Sequence, residues 1–525
     1  MKEVNIYGNP GRAGMIGKTE KSGKSGISGI SKGIRLNGNE SYIASDEKDI
    51  FKITTLIKNI ELNRYPDTEG LRVREGYAKY ANVKAGNIIM GNGSDEMLSL
   101  VIGSTIGAGK KILVLQILKK NSDIVETDLA ITGIKGYLKK KNLNDINIAL
   151  IGELDAVVSP DNPLADKITG ACHACGHHAQ LAGVIGASLA LSDEEIKNSL
   201  DGNVIFFAVP AEEYGEIEYK LSLKEKNLIK YGGGKSELIR IGAFNDIDIS
   251  IVHHSNPGEA DIIVGDNTSN GFVSKVTRYK GKAAHAAARP YLGVNAVNAA
   301  SLGLNAIAYQ RETFKDEDYV RIHSIITKGG GLVNVIPENV VVESLVRARS
   351  VEAIEDANKK VDRALKSGAL AIGAEIEITT EPGYLPVIPL KPSKTIFDIA
   401  KSILPKGIVE EVKKDKHSAG SSDVGDLTHI MPVLKFSTGG VVGDLHSEYF
   451  KVVDEEIAYI STAKIMALTA YRLLKDEGRE GRKIKEDFIG KFTVDEYKEY
   501  MDKFSNVFNG DYKKDWKRAE VIKWK

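Results

Sequence analysis

Three short, mostly apolar runs, residues 147–151, 204–209 and 247–252, each lead directly into side chains that bind metals or move protons. The first runs into Gly152-Glu153-Leu154-Asp155-Ala156, the second into Pro210-Ala211-Glu212-Glu213, and the third into His253-His254. Runs of this length and composition predict strands buried within a sheet. The small-residue apolar segment 179–191 between two of them predicts a helix, so strands and helices alternate as in a mostly parallel α/β fold. Such sheets carry their chemistry in loops at the carboxyl ends of the strands. The candidate residues all fall there.

A second concentration sits just before that helix. Residues 172–178 read Cys172-His173-Ala174-Cys175-Gly176-His177-His178, and both cysteines of the 525-residue chain lie inside this heptapeptide. A Cys-x-x-Cys pair can be a redox dithiol, and two thiols can simply be buried as small hydrophobes. A redox motif, however, carries no retinue of histidines. A closed structural zinc site needs a second Cys/His pair at knuckle spacing, and no other cysteine exists. An open catalytic metal site accounts for the cluster together with Glu212-Glu213, His253-His254 and His446.

Composition narrows the class. Lys+Arg and Asp+Glu both number 71, so no global field draws the chain to nucleic acid or an acidic membrane face. With 42% hydrophobic and 27% charged residues it is ordinary globular protein, long enough for two or three cores. No window approaches a membrane span, and the N-terminus has no apolar signal region. Two cysteines three positions apart cannot staple a secreted scaffold, which points to a reducing, cytoplasmic setting.

The N-terminal part has a different texture. Residues 1–35 are rich in Gly, Ser and Lys and predict a flexible arm. Gly17-Lys18-Thr19 and Gly23-Lys24-Ser25 suggest a phosphate loop, but the required earlier glycines are Arg12 and Lys18, so that reading fails. In residues 36–116, Leu36-Asn37-Gly38-Asn39-Glu40, Arg64-Tyr65-Pro66-Asp67 and Gly91-Asn92-Gly93-Ser94-Asp95-Glu96 resemble the start of histidinol-phosphate aminotransferase. The resemblance implies that the last motif once cradled pyridoxal phosphate at a helix N-terminus. It stops near Gln116, with no segment matching the Schiff-base lysine, so the motif is vestigial and no transaminase chemistry is expected.

Residues 121–475 resemble the metal-dependent amidohydrolase/peptidase family that contains aminoacylase, carboxypeptidase G, aminobenzoyl-glutamate hydrolase and the plant auxin-amidohydrolases. The stretches that carry this are Gly152-Glu153-Leu154-Asp155-Ala156, His173-Ala174-Cys175-Gly176-His177, Pro210-Ala211-Glu212-Glu213, His285-Ala286-Ala287, Asn334-Val335-Ile336-Pro337 and Leu445-His446-Ser447. The resemblance implies two divalent cations bridged by Cys175, with His177 also a ligand. Glu213 and one of His253 and His254 would complete one side, and His446 would cap the other. The offset from Asp248 favours His254. Asp155 would orient a ligand, and Glu212 would be the general base that takes a proton from the attacking water. A mixed sulfur, nitrogen and oxygen donor set suits Zn²⁺, with Mn²⁺ or Co²⁺ as competitors. His178 departs from the family, which often has aspartate there.

Within this region, residues 121–267 and 383–475 form the two parts of the expected catalytic domain. Residues 268–382 predict an inserted β-α-β-β-α-β domain of ferredoxin-like order. In the family this is a lid and dimerisation domain, which implies a homodimer. His285 would reach a neighbouring active site to stabilise the oxyanion, and Asn334 and Arg347 would position substrate. Residues 476–525 are charged, with a capping-box pattern at Thr493-Val494-Asp495-Glu496, and predict a peripheral helix. Much of the family's usual start is replaced here, with a join near residues 117–120, which predicts a sheet face left bare. The expected activity is hydrolysis of a small amide: an N-acyl amino acid, an aminobenzoyl-glutamate-like compound or a dipeptide. The alternative is a non-catalytic fusion remnant, or a pyridoxal-phosphate-binding protein of aminotransferase type.

Overall fold

The computed structural model describes residues 111–140, 145–413 and 416–512, together with positions 75, 78 and 79. The expected arm at 1–35 and most of the aminotransferase-like segment, including Gly91 to Glu96, lie outside the described residues.

An eight-stranded sheet organises the larger part. Its strands are β1 (Ile124–Leu129), β2 (Gly133–Tyr137), β3 (Ile146–Glu153), β4 (Gly202–Val209), β5 (Ile249–Ser255), β6 (Ile262–Val264), β11 (Val409–Glu411) and β12 (Val433–Thr438), in the order β1-β2-β4-β3-β5-β12-β6-β11. The central four, β4-β3-β5-β12, are parallel. Every residue of β4 is buried and β3 is nearly so, which is why these segments read as apolar runs. Helix α2 (His177–Leu191) follows the Cys/His heptapeptide and packs on β3 and on α9 (Thr462–Leu474). Two short helices, α3 (Ile217–Glu225) and α4 (Gly234–Arg240), follow β4.

The ferredoxin-like order expected for 268–382 is observed between β6 and the rest of the sheet. It comprises β7 (Gly271–Lys280), α5 (Ala296–Tyr309), β8 (Arg321–Lys328), β9 (Asn339–Ala348), α6 (Val351–Ile372) and β10 (Glu375–Pro382). Ser350 caps α6 by accepting from the Ala353 N–H, and Val351, Ile354, Ala357, Val361, Ala364 and Leu365 form its buried stripe. The chain then returns to the eight-stranded sheet through α7 (Lys394–Ile403) and α8 (Val424–Thr428).

Two differences from the sequence reading have physical causes. The charged tail is more than a peripheral helix: α10 (Arg479–Asp487) and α11 (Val494–Asp502) are followed by β13 (Asn506–Asp511). That strand pairs antiparallel with β10 and completes a five-stranded sheet, β8-β9-β7-β10-β13. The capping box at Thr493 and Glu496 is present, and Tyr497, Tyr500, Met501 and Phe504 are buried beneath it. Their helical spacing is an apolar face that the surrounding charge obscured. The second difference is at the join. Residues 117–120 lie inside one continuous helix, α1 (Lys111–Asn121), which packs against β2 and α2. Val114 and Leu118 enter the same core as Ile134, Leu150 and Leu181, so the face expected to be bare is covered here.

Leu118 is 0% exposed, and truncating it leaves a cavity that the surrounding strands cannot close. Leu118→Ala should therefore lower unfolding free energy by about 2–5 kcal/mol. Denaturant unfolding checks this, and a loss well under ~1 kcal/mol would mean that α1 is not part of the folded core.

Candidate metal centre

The turn from β-structure into α2 creates the centre. Gly176 sits between Cys175 and the first residue of α2 with φ of 87°, a conformation glycine adopts freely. A side chain at this position would collide with Ser255, so the turn between Cys175 and His177 needs glycine where it approaches the end of β5. Cys175 and His177 are thereby turned toward the carboxyl ends of β3, β4 and β5.

Cys175 is the common vertex. Its Sγ lies 3.2 Å from His446 Nε2 and 3.5 Å from His254 Nε2. Cys175, His177 and His254 converge as one triad, and Cys175, Glu213 and His446 as another. The expected residues meet, but in a different partition: Glu213 goes with His446, at 3.0 Å, and His254 goes with His177. The alternation of β5 separates the two histidines of the pair. His254 Nδ1 pairs with the Ser255 carbonyl at 2.9 Å, leaving Nε2 to face Cys175. His253 points to the other face, where its Nε2 meets the Thr438 and Thr462 hydroxyls. His173 and His178 stay outside both triads, with their rings 5.5 Å apart and their pKa values lowered to about 4 and about 3 by burial.

The electrostatics suit cations. Burial alone would raise the Cys175 thiol, yet hydrogen bonds from His177, His254 and His446 bring it down to about 6. Cys172, three residues away, has only burial acting on it, which pushes its thiol up. His446 is raised to about 10 by Cys175 and Glu213, and its φ of 66° is a strained conformation for a non-glycine residue. Asp155 accepts from the Glu213 N–H at 2.8 Å and tethers the loop that follows β4. Glu213 Oε1 and His177 Nε2 lie against other ionisable groups, His446 Nε2 at 3.0 Å and Glu153 Oε2 at 3.1 Å. The donor set of thiolate, imidazole and carboxylate fits a pair of divalent metals.

Behind the triads lies a buried ionic chain that the sequence reading missed. Lys235 Nζ, 0% exposed, lies 2.6 Å from Glu153 Oε1 and 2.5 Å from Asp423 Oδ1. Glu153 Oε2 in turn lies 3.1 Å from His177 Nε2 and accepts from Gln180 Nε2 at 2.7 Å. Burial would discharge Lys235, but the two carboxylates hold it protonated above its ordinary range. Glu212 Oε2 faces His177 Nε2 at 3.8 Å. Burial, with the Glu153 and Asp423 carboxylates nearby, pushes the Glu212 carboxyl well above the usual carboxylate range.

The remaining expected residues have partners elsewhere. His285 is exposed on the inserted module, its Nδ1 accepting from the Ala287 and Ala288 N–H groups. Asn334 is exposed beside it, and its carbonyl accepts from the Ala286 N–H. Arg347 donates to the Ser421 hydroxyl at 3.0 Å and lies over the Phe272 ring.

A parallel sheet whose strand ends gather thiolate, imidazole and carboxylate donors defines a metal-dependent hydrolase, and comparison with known proteins agrees. The model of peptidase family M20/M25/M40 matches residues 149–472, and the chain belongs to that family. It is 28% identical to human Xaa-Arg dipeptidase over 349 residues, covering 63% of this chain and 73% of that protein. It is 27% identical over 349 residues to N-acetyl-L-cysteine deacetylase of Bacillus subtilis, covering 64% and 76%. A separate match of 83 residues, 36% identical, is to histidinol-phosphate aminotransferase of Clostridium kluyveri, covering 16% of this chain and 24% of that enzyme. The fold resembles a putative aminohydrolase of Staphylococcus aureus (TM-score 0.52, 18% identity, 72% of this chain and 98% of that one). It also resembles the Bacillus subtilis YXEP protein, described as a dinuclear metal-binding peptidase (TM-score 0.51, 20% identity, 72% and 98%). Among the described residues, no helix is long and apolar enough to cross a membrane.

The buried chain yields a stability prediction. Lys235→Met leaves the Glu153 and Asp423 carboxylates without their shared cation and should destabilise the fold by about 3–5 kcal/mol. Equilibrium unfolding at neutral pH measures it. Parent-like stability would show that the carboxylates do not need the lysine.

Proposed function

We propose that this chain hydrolyses the amide bond of an N-acyl amino acid, an aminobenzoyl-glutamate-like compound or a dipeptide, with Glu212 as general base beside two cations that share Cys175. The observation that carries the reading is the single thiol at the vertex of two ligand triads, with the Glu212 carboxylate, which meets His177 and Glu153 in a third group, 3.8 Å from the His177 ring. The relatives' printed activities, on dipeptides and on an N-acetyl amino acid, support the substrate class.

In this reading Cys175, His177 and His254 would hold one cation, and Cys175, Glu213 and His446 would hold the other. Zn²⁺ suits the donors best, with Mn²⁺ and Co²⁺ as competitors. When bound, such cations polarise the scissile carbonyl and make water acidic enough to attack at neutral pH. Asp155 keeps the Glu213 loop in place, and Glu153, backed by Lys235, fixes the His177 ring. Glu212 takes the proton of the attacking water at its carboxylate and passes it to the leaving amine. His285, exposed on the inserted module, would act on the oxyanion in a second protomer's site. Asn334 and Arg347 would hold the substrate's carboxylate end. Pairing through the inserted module into a homodimer and a cytoplasmic setting belong to the same proposal.

Glu212→Gln should retain parent-like metal content while turnover of an N-acyl amino acid falls by ~10²–10⁴-fold. Activity near the parent's would remove Glu212 as the base. Elemental analysis separates the two cysteines. Cys175→Ser should lower bound metal sharply, because a hydroxyl replaces a thiolate poorly between two cations, whereas Cys172→Ser should leave metal content unchanged. Equal behaviour of the two variants would contradict the bridging role.

A further inference from the structure

The loop that carries Glu212 is tied to the exit of the inserted module by two hydrogen bonds running in opposite directions. Tyr384 Oη donates to the Glu212 backbone carbonyl in a short hydrogen bond, and Tyr214 Oη donates to the Pro382 carbonyl at 2.9 Å. Residues 212 and 214 thus clasp residues 384 and 382. Phe272, at the module's entry, joins them: its ring lies 5.0 Å from Tyr214 and 4.8 Å from Tyr384, and its N–H donates to the Tyr384 carbonyl at 2.8 Å. Both chain crossings into the inserted module therefore converge on one aromatic cluster two residues from Glu212.

The surroundings are built for this contact. A side-chain carbon at Gly233 would lie 2.6 Å from the Tyr384 ring, and one at Gly232 would lie 2.6 Å from the Tyr214 hydroxyl. Ala211, immediately before Glu212, has a φ of 55°, a conformation that persists only where neighbours over-determine it. The Gly234 N–H holds the Ala211 carbonyl at 3.0 Å from one side, and Tyr384 holds the next carbonyl from the other. Tyr384 is 3% exposed, so water cannot replace its hydroxyl at the Glu212 carbonyl.

We propose that Tyr384 and Tyr214 are positioning residues: through this two-way tie the orientation of the inserted module sets the backbone at Glu212, and with it the reach of the catalytic carboxylate. The proposal rests on the reading of Glu212 as general base. A displacement of about 1 Å at a reacting group is enough to cost a large factor in rate, so a tie of this kind transmits module movement to chemistry. Both tyrosine hydroxyls donate to backbone carbonyls and not to the side chain of any candidate metal ligand, so the expected effect of removing them falls on turnover rather than on metal content.

The test uses the full chain loaded with Zn²⁺. Tyr384→Phe and Tyr214→Phe keep the ring packing and remove the hydroxyl contacts: Tyr384 loses its bonds to the Glu212 carbonyl and, at 3.5 Å, the Ala211 carbonyl, and Tyr214 loses its bond to the Pro382 carbonyl and the one it accepts from Ser274 Oγ at 3.4 Å. Hydrogen–deuterium exchange of residues 210–216 should quicken about tenfold in either variant while exchange of β3 stays as in the parent. With a panel of N-acetyl amino acids, kcat should fall about tenfold with KM within about twofold, and metal content and melting temperature should match the parent. Combined with Glu212→Gln, Tyr384→Phe should add no further loss. Unchanged exchange at 210–216, or a kcat loss that tracks loss of metal or of melting temperature, overturns the proposal. Glu212→Gln alone is the reference: if it keeps activity, the general-base reading fails. If it loses activity while both tyrosine variants behave as the parent, only the tie fails.

Discussion

The centre depends on placing one thiolate among three imidazoles that the fold brings in from separate elements: His177 is buried, His254 partly buried and His446 exposed. Cys175 has no long side chain with which to search for partners, so its partners must be delivered to it. The parallel sheet does this by ending β3, β4 and β5 on one edge, and Gly176 does it by turning the chain where a side chain would strike Ser255. Moving a charged sulfur away from water is unfavourable unless the surroundings repay it. The histidine rings do so in the protein alone, which is why the thiol sits near 6 in spite of its burial. The same field would serve a pair of cations.

A second layer explains how the imidazole geometry is kept. Lys235 is shared between Glu153 and Asp423, and Glu153 then faces His177. Buried ion pairs of this kind contribute little net stability against an apolar replacement, but they penalise every arrangement in which one partner is displaced. Their contribution here is to the angle of a ring. Lys235 enters from α4, Asp423 from the start of α8 and Glu153 from the end of β3, so three distant stretches of chain agree on one orientation. The aromatic cluster at Tyr214, Phe272 and Tyr384 plays a comparable part for the backbone beside it.

What the sequence disclosed follows from how local each signal is. Strands buried on both faces announce themselves by composition, so β3 and β4 were legible to within two residues. The candidate donors were legible because each follows a strand or a glycine turn. The pairing of Glu213 with His446 rather than with His254 depends on how loops cross above the sheet, and no spacing encodes it. Lys235 itself carries no local sequence signal of its burial. Only the glycine triplet before it, Gly232-Gly233-Gly234, hinted at close packing, and nothing local marked Asp423 as its partner. The β13 strand was hidden for another reason. Its residues, Asn506-Val507-Phe508-Asn509-Gly510-Asp511, have weak strand character and take that form by pairing with β10. The Tyr497–Phe504 stripe was present in the sequence, but its charged neighbours set the average.

The account stands on one thiolate serving two cations. X-ray absorption at the zinc edge of the Zn²⁺-loaded protein tests this most directly. A shared Cys175 predicts a sulfur scatterer at about 2.3 Å together with a second zinc at about 3.5–4 Å. A zinc sphere of nitrogen and oxygen alone, or sulfur without a second zinc at that distance, would contradict it.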